Sequence, residues 1–284
     1  MSSQAQNIYN EPQFFAAYGR LPRSQNGLLG APEWPTLRSM IYAKPTDTEQ
    51  SKQPCSLTNL RVLDLGCGYG WFARWARDEG AAYVKAVDVS DKMISHAKTF
   101  EGPKPPSSAR DEDHQVASQD IKYEVGDIEN IHPADAPDFA PYDLVYSSLA
   151  FHYVENLAGV YQDIRRSLKP GGKLVFSVEH PVFSAPIRPD PDWRTIVDED
   201  EEMNVWPLNS YSEEGWRISK WLGMDGVRKY HRTVETYICE LLENGFSLNG
   251  MRDWVPSKED VAIHPEWAEE RNRPYFLLIS ASAK

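Results

Sequence analysis

The sequence predicts an α/β fold whose mainly parallel sheet opens a ligand crevice at the C-terminal ends of its strands. Three observations predict it. The strand-forming run Val62–Leu65 breaks at Gly66-Cys67-Gly68-Tyr69-Gly70 and restarts as a helix, with Trp71, Phe72, Trp75 and Ala76 on one face. Strand-like and helix-like segments then alternate over residues 60–180. Two strand-like runs, Phe246–Val255 and Pro274–Ser280, close the chain without a full crossover helix between them, which makes the last one antiparallel.

The elements follow in order. Tyr9, Phe14, Phe15 and Tyr18 fall near helical spacing, and Trp34, Leu37, Met40 and Ile41 form a second short apolar face. Residues 44–58 read as a polar loop. Tyr83–Val87 is the second strand and ends at Asp88; Ser90 is placed to cap a helix starting at Asp91. Residues 99–119, rich in Pro, Ser and charge and holding His114, read as a surface loop or disordered insertion. Ile121–Val125 is the third strand. Tyr142–Ser148 is the fourth, with Leu149–Tyr153 beyond its C-terminal end, where open α/β sheets face their ligand. Val154, Leu157, Val160, Tyr161, Ile164 and Leu168 mark the next helix. Leu168-Lys169-Pro170-Gly171-Gly172 stops it, because Pro removes a donor and Gly allows the turn. Lys173–Val178 is the fifth strand, and Val234–Glu243 the last long helix.

Composition bounds the function. The 284 residues suit one domain with an insertion, and a net charge of −12 disfavours nucleic acid as a partner, because phosphate binding needs clustered Lys and Arg. Cys55, Cys67 and Cys239 form no disulfide or metal-ligand pattern, and Asp198–Glu202 reads as a solvated acidic run, so no metal is expected. The N-terminus carries no apolar signal region and no run is long enough to span a bilayer, so the expectation is a cytoplasmic protein, monomer or dimer. Between residues 181 and 229 lie five prolines but also Phe183, Trp193, Trp206, Tyr211, Trp216 and Trp221, too aromatic for disorder. An ordered cap is expected there.

The glycine turn discriminates between cofactors. A dinucleotide site needs glycine at the last position of G-x-G-x-x-G, which here is Trp71. Asp64 beside the turn repels a diphosphate and attracts a cation. With Asp88, Asp127 and the Pro-Gly-Gly turn following in order, the chain resembles the class I S-adenosylmethionine-dependent methyltransferases, strongly over residues 60–180 and more loosely elsewhere. The resemblance implies a Rossmann-like seven-stranded sheet with its last strand antiparallel, N-terminal helices and an inserted cap after the fifth strand. It divides a single domain (1–284) into a cofactor-covering segment (8–58), a cofactor core (60–180), a substrate cap (181–229) and a C-terminal helix and strand pair (230–284). S-adenosyl-L-methionine is the implied cofactor, held by Asp64, Gly66, Gly68 and Ser147. Asp88 takes the ribose hydroxyls or caps its turn. Met93 touches the adenine or fills the core, and Asp127 with the Ile128 N–H reads the adenine or caps a turn. Arg23 pairs with the methionyl carboxylate or stays solvated.

The implied acceptor is a small molecule. Hydroxyl acceptors need a base, whereas a thiol of pKa near ~8.5 needs little help. His152, His180 and His231, each at an element end, are the candidate catalytic residues. Tyr18, Phe151, Glu179, Trp216 and Arg232 are the candidate acceptor contacts, each with a structural role as its alternative. The wider pattern, through Glu179-His180-Pro181 and Tyr230-His231-Arg232-Thr233, is similar to fungal thiol methyltransferases of secondary metabolism that act on reduced epidithiodiketopiperazines such as dithiol gliotoxin. It leaves O- or N-methylation of another metabolite, a nicotinamide-dependent reductase and a non-catalytic binding protein as alternatives.

Overall fold

A computed structural model describes residues 7–43, 56–100, 121–137, 139–187, 193–198 and 201–284. The expected loop over 44–55, with Cys55, the insertion over 101–119, with His114, and residues 199–200 of the acidic run lie outside the described residues.

The chain opens with three short helices, α1 (Pro12–Tyr18), α2 (Pro22–Gln25) and α3 (Trp34–Tyr42), each with proline in its first turn, where the missing N–H costs nothing. The core follows as β1 (Arg61–Leu65), α4 (Trp71–Asp78), β2 (Tyr83–Asp88), α5 (Asp91–Thr99), β3 (Ile121–Val125), β4 (Tyr142–Ser148), α6 (Leu157–Ser167) and β5 (Leu168–Glu179). The short α7 (Pro181–Ser184) leads into two antiparallel pairs: β6 (Arg194–Asp198) with β7 (Glu201–Val205), and β8 (Gly215–Trp221) with β9 (Met224–His231). The chain then runs through α8 (Val234–Glu243), β10 (Phe246–Trp254), α9 (Lys258–Ile263) and β11 (Phe276–Ala283).

Seven strands form one sheet in the order β10-β11-β5-β4-β1-β2-β3. β1 to β5 are parallel, and β11 runs antiparallel to both neighbours, as expected. Ser90 caps α5 by accepting the Met93 N–H at 3.1 Å. Three elements differ from expectation. Pro170-Gly171-Gly172 belongs to β5 as an irregularity opposite Tyr142–Leu144, with Gly171 at φ +75°. The α6 helix begins at Leu157, capped by the Asn156 side chain. The segment before α8, which the sequence leaves without an assigned element, is strand β9, where Tyr230 and Lys229 pair across to Trp216 and Arg217.

The period of two along each strand sorts its side chains between two cores. Leu63, Val145, Phe176 and Ile279 pack with Tyr161 of α6 and Leu241 of α8 on one face. Val62, Leu144, Tyr146, Val175 and Leu278 pack with Leu37 of α3 and Phe72 of α4 on the other. The Phe72 and Tyr146 rings stack there at 3.6 Å. Asp64, Asp88, Ser148 and Glu179 stand at even spacing from Val62, Ala86, Tyr146 and Val175, so they point to this second face. It is where the N-terminal helices leave a cavity.

Candidate active site

The cavity measures about 320 Å³ and lies over the C-terminal ends of β1, β2, β4 and β5, roofed by the N-terminal segment. Its floor begins at the glycine turn. Gly66 has φ +76°, and a Cβ there would stand 2.4 Å from Ala150 Cβ, so both conformation and packing demand glycine. Gly68, at φ +52°, has room for a side chain, since its nearest neighbour, Tyr18 Oη, would stand at contact distance, 3.8 Å from a built Cβ.

Three carboxylates line the β1–β2–β3 end. Asp88 accepts the Gly68 N–H at 2.8 Å on Oδ2 and the Ser90 N–H at 2.9 Å on Oδ1. One lone pair on each oxygen stays available. Asp64 is 2% exposed, and its Oδ2 is buried with no hydrogen-bond partner. Burial, then the neighbouring Asp88, raises its carboxyl well above the ordinary range. Asp127 lines the cavity while closing its own turn, accepting the Glu129 N–H at 3.1 Å and the Asn130 amide at 2.7 Å. Across from them Arg23 forms a two-point pair with fully buried Glu33, at 3.0 and 3.2 Å.

The β5 end holds a second polar group of residues. Glu179 Oε1 pairs with Lys229 Nζ at 2.5 Å, while Glu179 Oε2 is buried and unpartnered. Burial alone would raise the Glu179 carboxyl, but Lys229 and then His152 outweigh it and hold it below the ordinary range. Lys229, raised by Glu179 against the pull of burial, also sits 5.0 Å over the Trp221 ring. His152 Nδ1 accepts the Glu179 backbone N–H at 3.2 Å, which places the proton of the neutral ring on Nε2. Burial lowers its pKa to about 4. The Tyr9 and Tyr153 hydroxyls meet at 3.1 Å beside it.

Of the residues singled out from sequence, Arg23, Asp64, Gly66, Gly68, Asp88, Met93, Asp127, Ile128, Tyr18, His152 and Glu179 line this cavity. Six do not. Ser147 points to the opposite sheet face and donates to the Leu65 carbonyl at 2.8 Å; Ser148 takes the place expected of it. Phe151 is fully buried in the core under the sheet. His180 faces away from Glu179, with Nε2 3.0 Å from Asp253 and Nδ1 accepting the Val182 N–H. His231 is held between the Ser184 hydroxyl and the Tyr211 carbonyl. Trp216 packs on Tyr230 and Arg228. Arg232 donates to the Val154 and Glu155 carbonyls at 2.9 and 2.6 Å, bracing the loop that carries Tyr153. Sequence reasoning missed Glu33, Tyr153, Lys229 and Trp221 as site residues. The only signal for Lys229 is its place two residues before His231 on a strand, a position legible only once β9 is known.

Comparisons with known proteins agree with this architecture. Residues 63–176 match a family model described as a methyltransferase domain. An S-adenosylmethionine-dependent methyltransferase structure from Mesorhizobium loti is 39% identical, covering 90% of this chain and 100% of that one, with a TM-score of 0.71. A structure from Listeria monocytogenes given the same class is 37% identical over 91% and 99% of the two chains, with a TM-score of 0.69. A malonyl-[acyl-carrier protein] O-methyltransferase from Erwinia pyrifoliae is 33% identical over 169 residues, and the match takes in only about half of that protein, 52%. The chain belongs to the class I S-adenosylmethionine-dependent methyltransferase family.

The residues present fit the family's cofactor. Asp64 Oδ2 is a buried acceptor without a partner, suited to an ammonium. Asp88 keeps a lone pair on each oxygen for a diol, and no cluster of Lys or Arg awaits a diphosphate among the cavity residues. Among the described residues no group of His, Cys, Asp and Glu could hold a metal ion, and no helix is long and apolar enough to cross a membrane.

Proposed function

We propose that the chain methylates a small molecule, and that the acceptor atom is a thiol of the kind carried by a reduced epidithiodiketopiperazine. When bound, S-adenosylmethionine supplies an electrophilic methyl group on a sulfonium. The chain's residues would bind and align the two molecules: Asp88 the ribose hydroxyls, Asp64 the ammonium, Asp127 the adenine, and Arg23 the carboxylate through donors that Glu33 leaves free. The segment 181–229 would act as the acceptor cap, since it brings Trp221 to the cavity wall.

The observation that carries the thiol reading is the hydrogen bonding of the β5 end. His152 offers an N–H to the cavity rather than a lone pair, and Glu179 is held ionised by Lys229, which makes it a weak base. A site without a strong base suits an acceptor that needs little help to ionise near neutral pH, and a thiol needs far less than a hydroxyl. A second reading meets the same condition. A carboxylate acceptor arrives ionised, and the partial match to malonyl-[acyl-carrier protein] O-methyltransferases favours it.

The test is incubation with labelled S-adenosylmethionine and a panel of dithiols, phenols, amines, free carboxylates and malonyl thioesters, read by mass spectrometry. One methyl gained per thiol, with phenols and amines untouched, is the expected result. Methyl esters alone would replace the thiol reading by the second one. Methylated phenols or amines alone would sink both.

A further inference from the structure

Glu179 Oε2 is a buried acceptor at the β5 end to which, among the described residues, the protein brings no donor. The residue is 9% exposed, the atom has no hydrogen-bond partner, and the side chain lines the cavity. A buried carboxylate oxygen left unpaired costs free energy, so a fold that keeps one has a donor arriving from elsewhere. Its position is fixed: Oε1 is anchored by Lys229 at 2.5 Å, and the Glu179 backbone N–H is taken by His152.

We infer that the acceptor carries, apart from the atom that receives the methyl group, a neutral N–H donor, and that Glu179 Oε2 receives it. The inference rests on the proposed methyltransferase reading, because it places the acceptor at this end of the cavity. Neutrality follows from the charge already present. Lys229 balances Glu179, so an acceptor ammonium would enter as a second, uncompensated cation in a buried site, while a neutral N–H satisfies the oxygen at no cost in charge. The walls point to the rest of the molecule. Tyr153, Trp221 and Tyr275 line the same cavity with aromatic surface, which suits a flat aryl or heterocyclic acceptor bearing the N–H on its ring or beside it. Glu179 is thus a specificity residue: it reads a group that takes no part in the chemistry.

The test separates this inference from the function it rests on. S-adenosylhomocysteine binding is measured first by calorimetry, and its absence would count against the methyltransferase reading itself. The loaded protein is then titrated with the ortho, meta and para aminothiophenols and with their methylthiophenol counterparts, in which a methyl group of similar size replaces the neutral arylamine. At least one amino isomer is expected to bind tenfold or more tightly than its methyl counterpart. In Glu179→Gln the side-chain oxygen turns to Lys229 and the amide NH2 faces the cavity, so the preference should vanish or reverse. Equal binding of the amino and methyl members to the wild-type protein would overturn the inference, as would binding of neither. A preference that survives in a folded Glu179→Gln protein would also overturn it.

Discussion

The Gly68 N–H donates to Asp88 Oδ2 at 2.8 Å, so a carboxylate that lines the cavity also fixes the glycine turn beside it. Asp88→Asn therefore has two effects. An amide cannot accept both the Gly68 and the Ser90 N–H groups, since its NH2 must oppose one of them. We expect a stability loss of about 1–3 kcal/mol in denaturant titrations, together with at least tenfold weaker S-adenosylhomocysteine binding by calorimetry. Weaker binding with unchanged stability would show that Asp88 does not hold the turn.

Asp64 should behave in the opposite sense. It is a buried carboxyl with one unpartnered oxygen, and Asp64→Asn removes a group whose charged form burial and the neighbouring Asp88 disfavour more than Ala73 and Arg74 support it. The variant is expected to be more stable by about 1 kcal/mol without ligand and to bind S-adenosylmethionine more weakly. Thermal denaturation with and without ligand measures both, and a stability loss in the unliganded variant would contradict the assignment.

His152 sets a pH dependence. Its folded pKa is lowered to about 4, below the ordinary value of ~6.5, so on acidification the unfolded chain takes up this proton first. Stability from this group is present above pH ~6.5 and is lost as pH falls toward about 4, by about 3 kcal/mol in all. Urea titrations at pH 7 and pH 5 should show a shallower loss for His152→Gln than for the wild-type protein. Parallel losses would mean that His152 is not held neutral.

Which of these residues the sequence could reveal follows from chain locality. Gly66, Asp64 and Asp88 lie at strand ends beside local turns, and a strand-turn-helix pattern places them without long-range information. Glu179 and His180 show where that reading runs out. Glu179 ends β5 and His180 follows it, but only Glu179 lines the cavity, and the alternation of side chains along β4 likewise selects Ser148 over Ser147. Lys229 is not legible in the sequence because its partner, Glu179, lies 50 residues earlier in the chain. The strands β6 and β7 were hidden because their residues are mostly exposed on both faces, and β9 because two of the three positions that it buries in alternation, Lys229 and His231, are polar.

Arg232 looked like a ligand contact and is a brace. Its guanidinium spans two carbonyls of the loop after Tyr153 and lies 4.2 Å from the Tyr230 ring. Arg232→Lys keeps the charge but loses the fork. We expect the acceptor KM to rise several-fold, with S-adenosylhomocysteine affinity within about twofold of wild type and a stability loss of about 1–2 kcal/mol. An equal loss of cofactor affinity would place Arg232 at the other end of the cavity.

The position of β11 in the sheet carries a consequence for biosynthesis. The strands that hold Asp64 and Asp88 are complete by Asp88, but β5 stays a bare edge until Phe276 arrives opposite Glu179. A chain emerging from the ribosome can therefore shape the Asp64 and Asp88 side of the cavity early, while the Glu179 side waits for the last strand in the sequence to slide between β5 and β10. In that interval the exposed β5 edge is a surface that invites wrong pairing, so translation pausing or chaperone capture would matter most between residues 180 and 276.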